Sequence, residues 1–193
     1  MQPVDFFIVG EPTSGTTALA EFLDEHPDIC ISLPKEPHFM ASDYRTESEA
    51  VHGNLRLMSV VDEIQYEKCF AHRGKSRFTG DASTSYLYST SAAQNIKEHN
   101  PHARIIALVR DPVEMMYALH MTHVTMTHQD LTDFEEALAA EPARARGENL
   151  PMRAPVPKAL LYRARAQTST HLERYFKVFG REPVLVLTIE DLR

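Results

Sequence analysis

Cysteine is scarce in this sequence: Cys30 and Cys69 are the two in 193 residues. Two thiols cannot by themselves build a disulfide framework or a cysteine-rich zinc site, and they read as reduced, partly buried side chains. Positive charge is not in excess either. With 20 Lys and Arg against 27 Asp and Glu, the net charge is −7. That excludes a general polyanion-binding surface and confines any anion site to a local feature. No basic stripe is interleaved with aromatics, so no nucleic-acid partner is expected. No apolar run approaches the ~20 residues that span a bilayer. The start, Met1-Gln-Pro-Val-Asp-Phe-Phe, lacks the basic residues and long apolar stretch of a secretory signal. A cytoplasmic location is the expectation. Internal repeats and low-complexity segments are also missing.

What is present is an ordinary globular composition, 43% hydrophobic and 24% charged, at a length that suits one domain over 1–193. Phe6-Phe-Ile-Val9, stopped by Gly10, is a short apolar run that predicts a strand covered on both faces. Ala18, Leu19, Phe22 and Leu23 recur at helical spacing and predict a helix from about Thr16 to His26. Ile29-Cys-Ile31 predicts a second short strand, and 41–79 reads as a polar excursion of helix and loop. Ile105 to Val109 predicts another strand, followed by a helix with Asp111 as N-cap and Pro112 in its first turn. A further helix is expected from Asp130 to about Ala140, and a loop over 142–157, which holds four prolines. Lys158 to Phe179 reads as one long helix, and Val184 to Leu187 as a last strand. Strands alternating with helices predict a doubly wound, mostly parallel α/β sheet.

The first strand-to-helix junction carries the clearest chemistry. Gly10-Glu-Pro-Thr-Ser-Gly-Thr-Thr17 has glycines for a sharp turn and close backbone approach. A helix N-terminus behind them presents N–H groups to an anion, and Ser14, Thr16 and Thr17 add hydroxyls. In the phosphate loop of nucleoside triphosphatases, G-x4-G-K-[ST], lysine stands where this chain has Thr16, which disfavours an ordinary ATPase, GTPase or small-substrate kinase. A plain strand-to-helix turn without a ligand has the same spacing.

Phe6 to Leu19, continuing through His26-Pro-Asp28 and Lys35-Glu-Pro-His-Phe39, resembles the opening of the sulfotransferase family. The resemblance implies a P-loop, nucleoside triphosphate hydrolase-like architecture and 3′-phosphoadenosine 5′-phosphosulfate (PAPS) as sulfuryl donor, with no metal. By that comparison Pro12, Thr13, Ser14, Gly15, Thr16 and Thr17 form the loop around the phosphosulfate. The family loop typically reads P-K-S-G-T-T, so Thr13 stands in place of a lysine. Loss of a comparable group costs about 3–4 kcal/mol of transition-state stabilisation in other enzymes.

Glu36 lies just after the second strand, where α/β folds place their crevice. Transfer to a hydroxyl needs a base there. The resemblance to the Golgi-type branch makes Glu36 that base and His38 a second residue of the site. Solvated loop charges and a histidine packed on Phe39 fit the spacing as well. Arg104 to Glu114 resembles the family's second motif, which makes Arg110 the ligand of the 3′-phosphate; Ala118 stands where that motif has serine. Pairing of Arg110 with Asp111 or Glu114 is the competing reading. Gly80 to Tyr88 resembles a cleft segment, in which Asp81, Ser83 and Tyr86 would line the site, and a polar loop is the alternative. His120 and His123 are near the one-turn spacing of zinc ligands, but no third ligand follows at a matching interval. The Met115, Met116, Met121 and Met126 group reads as core filling.

The expected function is therefore PAPS-dependent sulfuryl transfer to a hydroxyl or amine of a small-molecule or glycan acceptor, in a chain whose oligomeric state is open. The alternative is a relative that binds PAPS, its desulfated product or another anion with weak or no turnover. The family domain continues past this sequence's last strand, so the resemblance implies that a C-terminal segment is lacking.

Overall fold

The first apolar run becomes the centre of a sheet. The computed structural model describes residues 2–53, 60–154 and 156–192. Part of the expected excursion, 54–59, and Pro155 of the expected loop lie outside the described residues. β1 (Phe6–Gly10) sits between β3 (Phe78–Ala82) and β4 (Arg104–Val109). β2 (Ile29–Ile31) flanks β3, and β5 (Val184–Thr188) flanks β4, giving the order β2-β3-β1-β4-β5. Every pairing is parallel.

Period-two alternation divides the side chains of β1 between two cores. Phe7 and Val9 join Ile105, Ala107, Tyr86 and Tyr175 on one face. Phe6 and Ile8 join Leu108, Ile31 and Ala20 on the other. The helices α2 (Ser42–His52), α3 (Glu63–Lys68), α4 (Ser85–Tyr88), α5 (Ala92–His99) and α9 (Thr168–Phe179) contribute to the first face. The second is covered by α1 (Thr16–Asp24) through Leu19, Ala20 and Leu23, while Phe22 points outward and is exposed. A third cluster joins α6 (Pro112–Thr125), α7 (Phe134–Ala145) and α8 (Tyr162–Arg165) through Met115, Leu119, Ala137 and Tyr162. Of the methionine group, Met115 is core, whereas Met121 and Met126 are exposed.

Three expectations are corrected. β3 runs through a segment read as the end of an excursion and a polar loop. Its polar groups are satisfied internally, and the absence of a side chain at Gly80 makes room for the Phe6 ring. α7 starts at Phe134 because Asp133 caps it, accepting the Glu136 N–H at 2.9 Å. It then continues through Pro142, which was expected in a loop. Proline cannot donate to the carbonyl of Leu138, one turn earlier. That carbonyl accepts Arg163 Nη1 at 2.7 Å instead, so the helix loses a bond without leaving an orphan. Finally, the expected long helix over 158–179 is a 3-10 turn at Pro157–Leu160 followed by α8 and α9. The apolar periodicity that suggested it is strong only from Leu172 onward.

β1 leads toward β2 and β4 leads toward β5 on the opposite side, so the loops leaving their carboxyl ends diverge. That is where a doubly wound sheet opens a crevice. Asp111 caps α6 as expected, accepting the N–H groups of Val113 and Glu114 at 3.0 Å.

Candidate active site

The loop after β1 is built inward before it can face outward. Ser14 is buried; its hydroxyl donates to the carbonyls of Glu11 and, at 3.3 Å, of Leu108. Ser14 thus fixes the loop with its side chain rather than offering it to the crevice. Gly15, at φ 91°, is the N-cap of α1, in a left-handed conformation suited to glycine. The first-turn N–H groups of α1 have no carbonyl partner within the helix and are available to an anion. Thr16 is buried and Thr17 exposed.

Glu11 is a residue that sequence reasoning missed. It is buried, and its carboxylate accepts the main-chain N–H of Arg110 at 2.9 Å and the hydroxyl of Thr168. One side chain therefore ties the loop to the end of β4 and the start of α9. Burial pushes its pKa up, against the lowering effect of these hydrogen bonds.

A cavity of about 410 Å³ opens beside the loop. Pro12, Thr13, Thr16 and Thr17 form one wall; Glu36, His38, Thr84 and Ser85 form another. Tyr44, Arg165, His123, His128, Leu119 and Met126 contribute further surface. The structure brings the loop threonines, Glu36 and His38 together. Asp81, Ser83 and Tyr86 do not line this cavity. They are buried behind it, with the Asp81 carboxylate accepting hydroxyls of Tyr66 at 2.8 Å, Tyr86 at 2.7 Å and Ser83 at 2.8 Å. Their neighbours Thr84 and Ser85 face the space instead, because the chain leaves β3 and turns into α4 there.

Thr13, Glu36 and His38 all have positive φ, at 65°, 60° and 56°. Such backbone strain in non-glycine residues concentrates at functional sites. The Glu36 N–H is anchored on the carbonyl of Ala82 at 3.1 Å, and the His38 N–H on the hydroxyl of Ser83 at 3.2 Å. Glu36 Oε1 accepts Lys35 Nζ at 2.7 Å, and Oε2 accepts the Thr84 hydroxyl at 3.1 Å. Burial works to raise the Glu36 pKa, but Lys35, His38 and Thr84 together hold it below the ordinary carboxylate range. His38 Nδ1 lies 2.7 Å from Ser85 Oγ. Burial chiefly depresses the His38 pKa, so the ring is neutral near pH 7. The pair thus offers an ionised carboxylate beside an uncharged imidazole. His123 is likewise neutral, burial and nearby cations pushing it down to about 3.

Arg110 stands on the outer side of the loop, apart from the cavity's lining. Its Nη1 donates to the Thr13 carbonyl at 3.3 Å, and its Nη2 to Glu114 at 2.9 Å. It is close to the loop while also making the surface pair with Glu114. His120 and His123 are spent internally: the first against the carbonyl of Thr132 at 3.0 Å, the second against the Tyr162 hydroxyl at 3.4 Å. Cys30 and Cys69 are buried free thiols. Among the described residues no helix is long and apolar enough to cross a membrane.

A sequence model described as "Sulfotransferase family" matches residues 3–163. Human carbohydrate sulfotransferase 15 is 24% identical over an alignment covering 96% of this chain and 40% of that protein. Human heparan sulfate glucosamine 3-O-sulfotransferase 6 is 32% identical over 55% of this chain and 26% of its own length. The chain therefore spans well under half the length of these curated relatives. A crystal structure of a sulfotransferase from Alicyclobacillus acidocaldarius superimposes with TM-score 0.82 at 30% identity, covering 100% of this chain and 75% of that one. The sulfotransferase domain from the curacin biosynthetic pathway shares the fold at TM-score 0.56 and 16% identity, over 99% of this chain and 69% of that one.

Proposed function

This chain belongs to the sulfotransferase family, and on that premise we propose that it moves a sulfuryl group from PAPS to an acceptor hydroxyl or amine. The observation that carries the reading is the single cavity walled by both the Thr13–Thr17 loop and the Glu36–His38 segment. The first can bind an oxyanion through α1 N–H groups and the threonine hydroxyls. The second can take a proton.

The residues divide the work as follows. The loop and α1 hold the phosphosulfate end of the donor, and Arg110 holds its 3′-phosphate. Glu36 accepts the proton of the acceptor hydroxyl as its oxygen bonds to sulfur and the sulfur–oxygen bond to the 5′-phosphate breaks. The products are a sulfated acceptor and adenosine 3′,5′-bisphosphate. His38, neutral and braced by Ser85, orients Glu36 and borders the acceptor. Glycans are the acceptor class favoured by the names of the curated relatives, which are carbohydrate and heparan sulfate sulfotransferases. The donor is a soluble nucleotide and no metal enters this scheme.

A second reading, nucleotide binding with little turnover, is favoured by Thr13, which has no charge to place on the leaving oxygen. Calorimetric titration with PAPS and adenosine 3′,5′-bisphosphate, followed by an acceptor panel, separates the two. Binding with transfer supports the enzyme; tight binding of the bisphosphate with no transfer to any acceptor supports the second reading. Binding of ATP but of neither nucleotide sinks both.

A further inference from the structure

Arg165 is absent from every motif of the sequence, yet it ends α8 at the wall of the cavity, only 5% exposed. Its Nη1 donates to the Tyr44 hydroxyl at 2.8 Å, and its guanidinium lies 4.9 Å from the centre of the Tyr88 ring. Its Nε is buried without a hydrogen-bond partner among the described residues. No carboxylate of the described residues forms an ion pair with it. The other buried arginine of this region, Arg144, differs in having Asp130 at 2.9 Å.

A buried cation without a counter-ion is costly unless something anionic completes it. The nearby Glu11 interacts with Arg165 electrostatically but makes no direct ion pair with it; its oxygens accept the Arg110 N–H and the Thr168 hydroxyl. Arg165 lines the cavity and also a much smaller space beside Gly10, Glu11 and His171; the cavity is the one with room for a ligand. Among the described residues that line it, Arg165 is the one permanently cationic side chain; the others are hydroxyls, histidines, apolar groups and the acidic Glu36. The loop position that carries lysine in the family is the uncharged Thr13.

We propose that Arg165 is the oxyanion anchor of this cavity, binding a sulfate- or phosphate-type group through its unpartnered guanidinium edge. The inference builds on the sulfuryl-transfer reading and supplies from α8 the positive charge that the loop lacks. The planar guanidinium suits tetrahedral oxyanions because it offers fixed, paired N–H donors. Two sources fit this chemistry: the phosphosulfate of the donor and a sulfate or carboxylate group on an acceptor. The neighbouring loop favours the donor.

The test is calorimetry on wild type, Arg165→Gln and Arg165→Lys with inorganic sulfate, adenosine 3′,5′-bisphosphate, PAPS and a sulfated oligosaccharide. The expected result is a fall of ~10- to 100-fold in sulfate and PAPS affinity for Arg165→Gln, with partial recovery for Arg165→Lys. An equal fall for the bisphosphate assigns the contact to the 5′-phosphate. A fall for the oligosaccharide alone assigns it to the acceptor, still as an oxyanion anchor. Because Arg165→Gln could unfold the chain, Tyr44→Phe provides a second measurement, since it removes the protein's own hydrogen bond and leaves the guanidinium. Retained sulfate binding there supports the anchor; a loss matching that of Arg165→Gln assigns Arg165 to holding Tyr44 and overturns it. A folded Arg165→Gln that binds every probe like wild type also overturns it. Sulfate binding that needs Arg165, in a protein that ignores PAPS, leaves the anchor standing and sinks the sulfuryl-transfer reading. PAPS binding that ignores Arg165, with sulfate and oligosaccharide binding also unchanged, does the reverse.

Discussion

Glu36 Oε2 and His38 Nε2 approach to 3.4 Å across Pro37, from two residues that both hold left-handed backbone. An extended chain would send residues two apart to the same side but spread them along the strand direction. The paired left-handed turns instead fold the two side chains onto one cavity wall. Ser85 faces Nδ1 of the ring, and the neutral tautomer that accepts the Ser85 hydroxyl there points its Nε2 proton at Glu36.

Glu36→Gln should therefore fold normally and bind nucleotide within about 2-fold of wild type, while transfer falls by ~10²- to 10⁴-fold. The base must be ionised, and its pKa is lowered, so the acidic limb of the rate profile should lie below the usual glutamate value of about 4.3. Lys35 is one cause of that lowering. Lys35→Met should move the limb to higher pH, which a pH–rate series on both proteins will measure.

Arg110→Ala should weaken binding of adenosine 3′,5′-bisphosphate by ~10- to 100-fold, as loss of a charge-assisted contact does. Its pair with Glu114 is partly solvated, so thermal stability should change by less than about 1 kcal/mol. Calorimetry and a melting curve on the same sample check both halves. A large stability loss with unchanged affinity would make the Glu114 pair the residue's whole role.

Asp81 links stability to pH. Burial pushes its pKa up to about 6, against three hydroxyl hydrogen bonds that lower it. The folded chain thus holds the Asp81 proton more tightly than the unfolded chain, whose value is near 3.9. Unfolding free energy should fall as pH rises from about 4 to about 6, by about 3 kcal/mol, and level off above. Asp81→Asn should remove this contribution to the slope while lowering stability overall, because the tyrosine hydroxyls lose their carboxylate. Denaturant titrations at several pH values will detect the flattening.

Pro142→Ala should stabilise the protein by about 1–3 kcal/mol, since the residue is exposed within α7 and proline is poor in helix interiors. The gain should fall toward the lower end because Arg163 already occupies the Leu138 carbonyl. A thermal shift in the other direction would mean that the proline's restriction of the unfolded chain dominates.

Much of the architecture was legible because the physics was local. Phe6–Val9 and Ile105–Val109 are apolar runs long enough to need cover on both faces, Val184–Leu187 is a third apolar run that forms an edge strand with Leu185 exposed, and Asp111-Pro112 is a self-contained helix start. The cavity's Glu36 and His38 were reached through family likeness, and their left-handed backbone has no sequence signal beyond the intervening Pro37. β3 was missed because only Phe78 and Ala82 of its five residues are apolar. The charge of Asp81 is accommodated by Tyr66 and Tyr86, whose convergence depends on the folded chain. Arg165 was invisible for the same reason: its hydrogen-bond partner Tyr44 lies 121 residues away. Glu11 sat in plain view between Gly10 and Pro12, but its role as a tie needs Arg110 and Thr168 beside it.

The central claim is that the loop and Glu36 act together on a sulfuryl group. Its most direct measurement is the transfer of radiolabelled sulfur from PAPS to a panel of glycan acceptors, by wild type and by Glu36→Gln, with nucleotide binding confirmed for each. The account predicts labelled product from wild type and a loss of at least about 100-fold in the variant, with binding retained in both. Label transferred equally by both proteins, or nucleotide bound by wild type with no acceptor labelled, would contradict it.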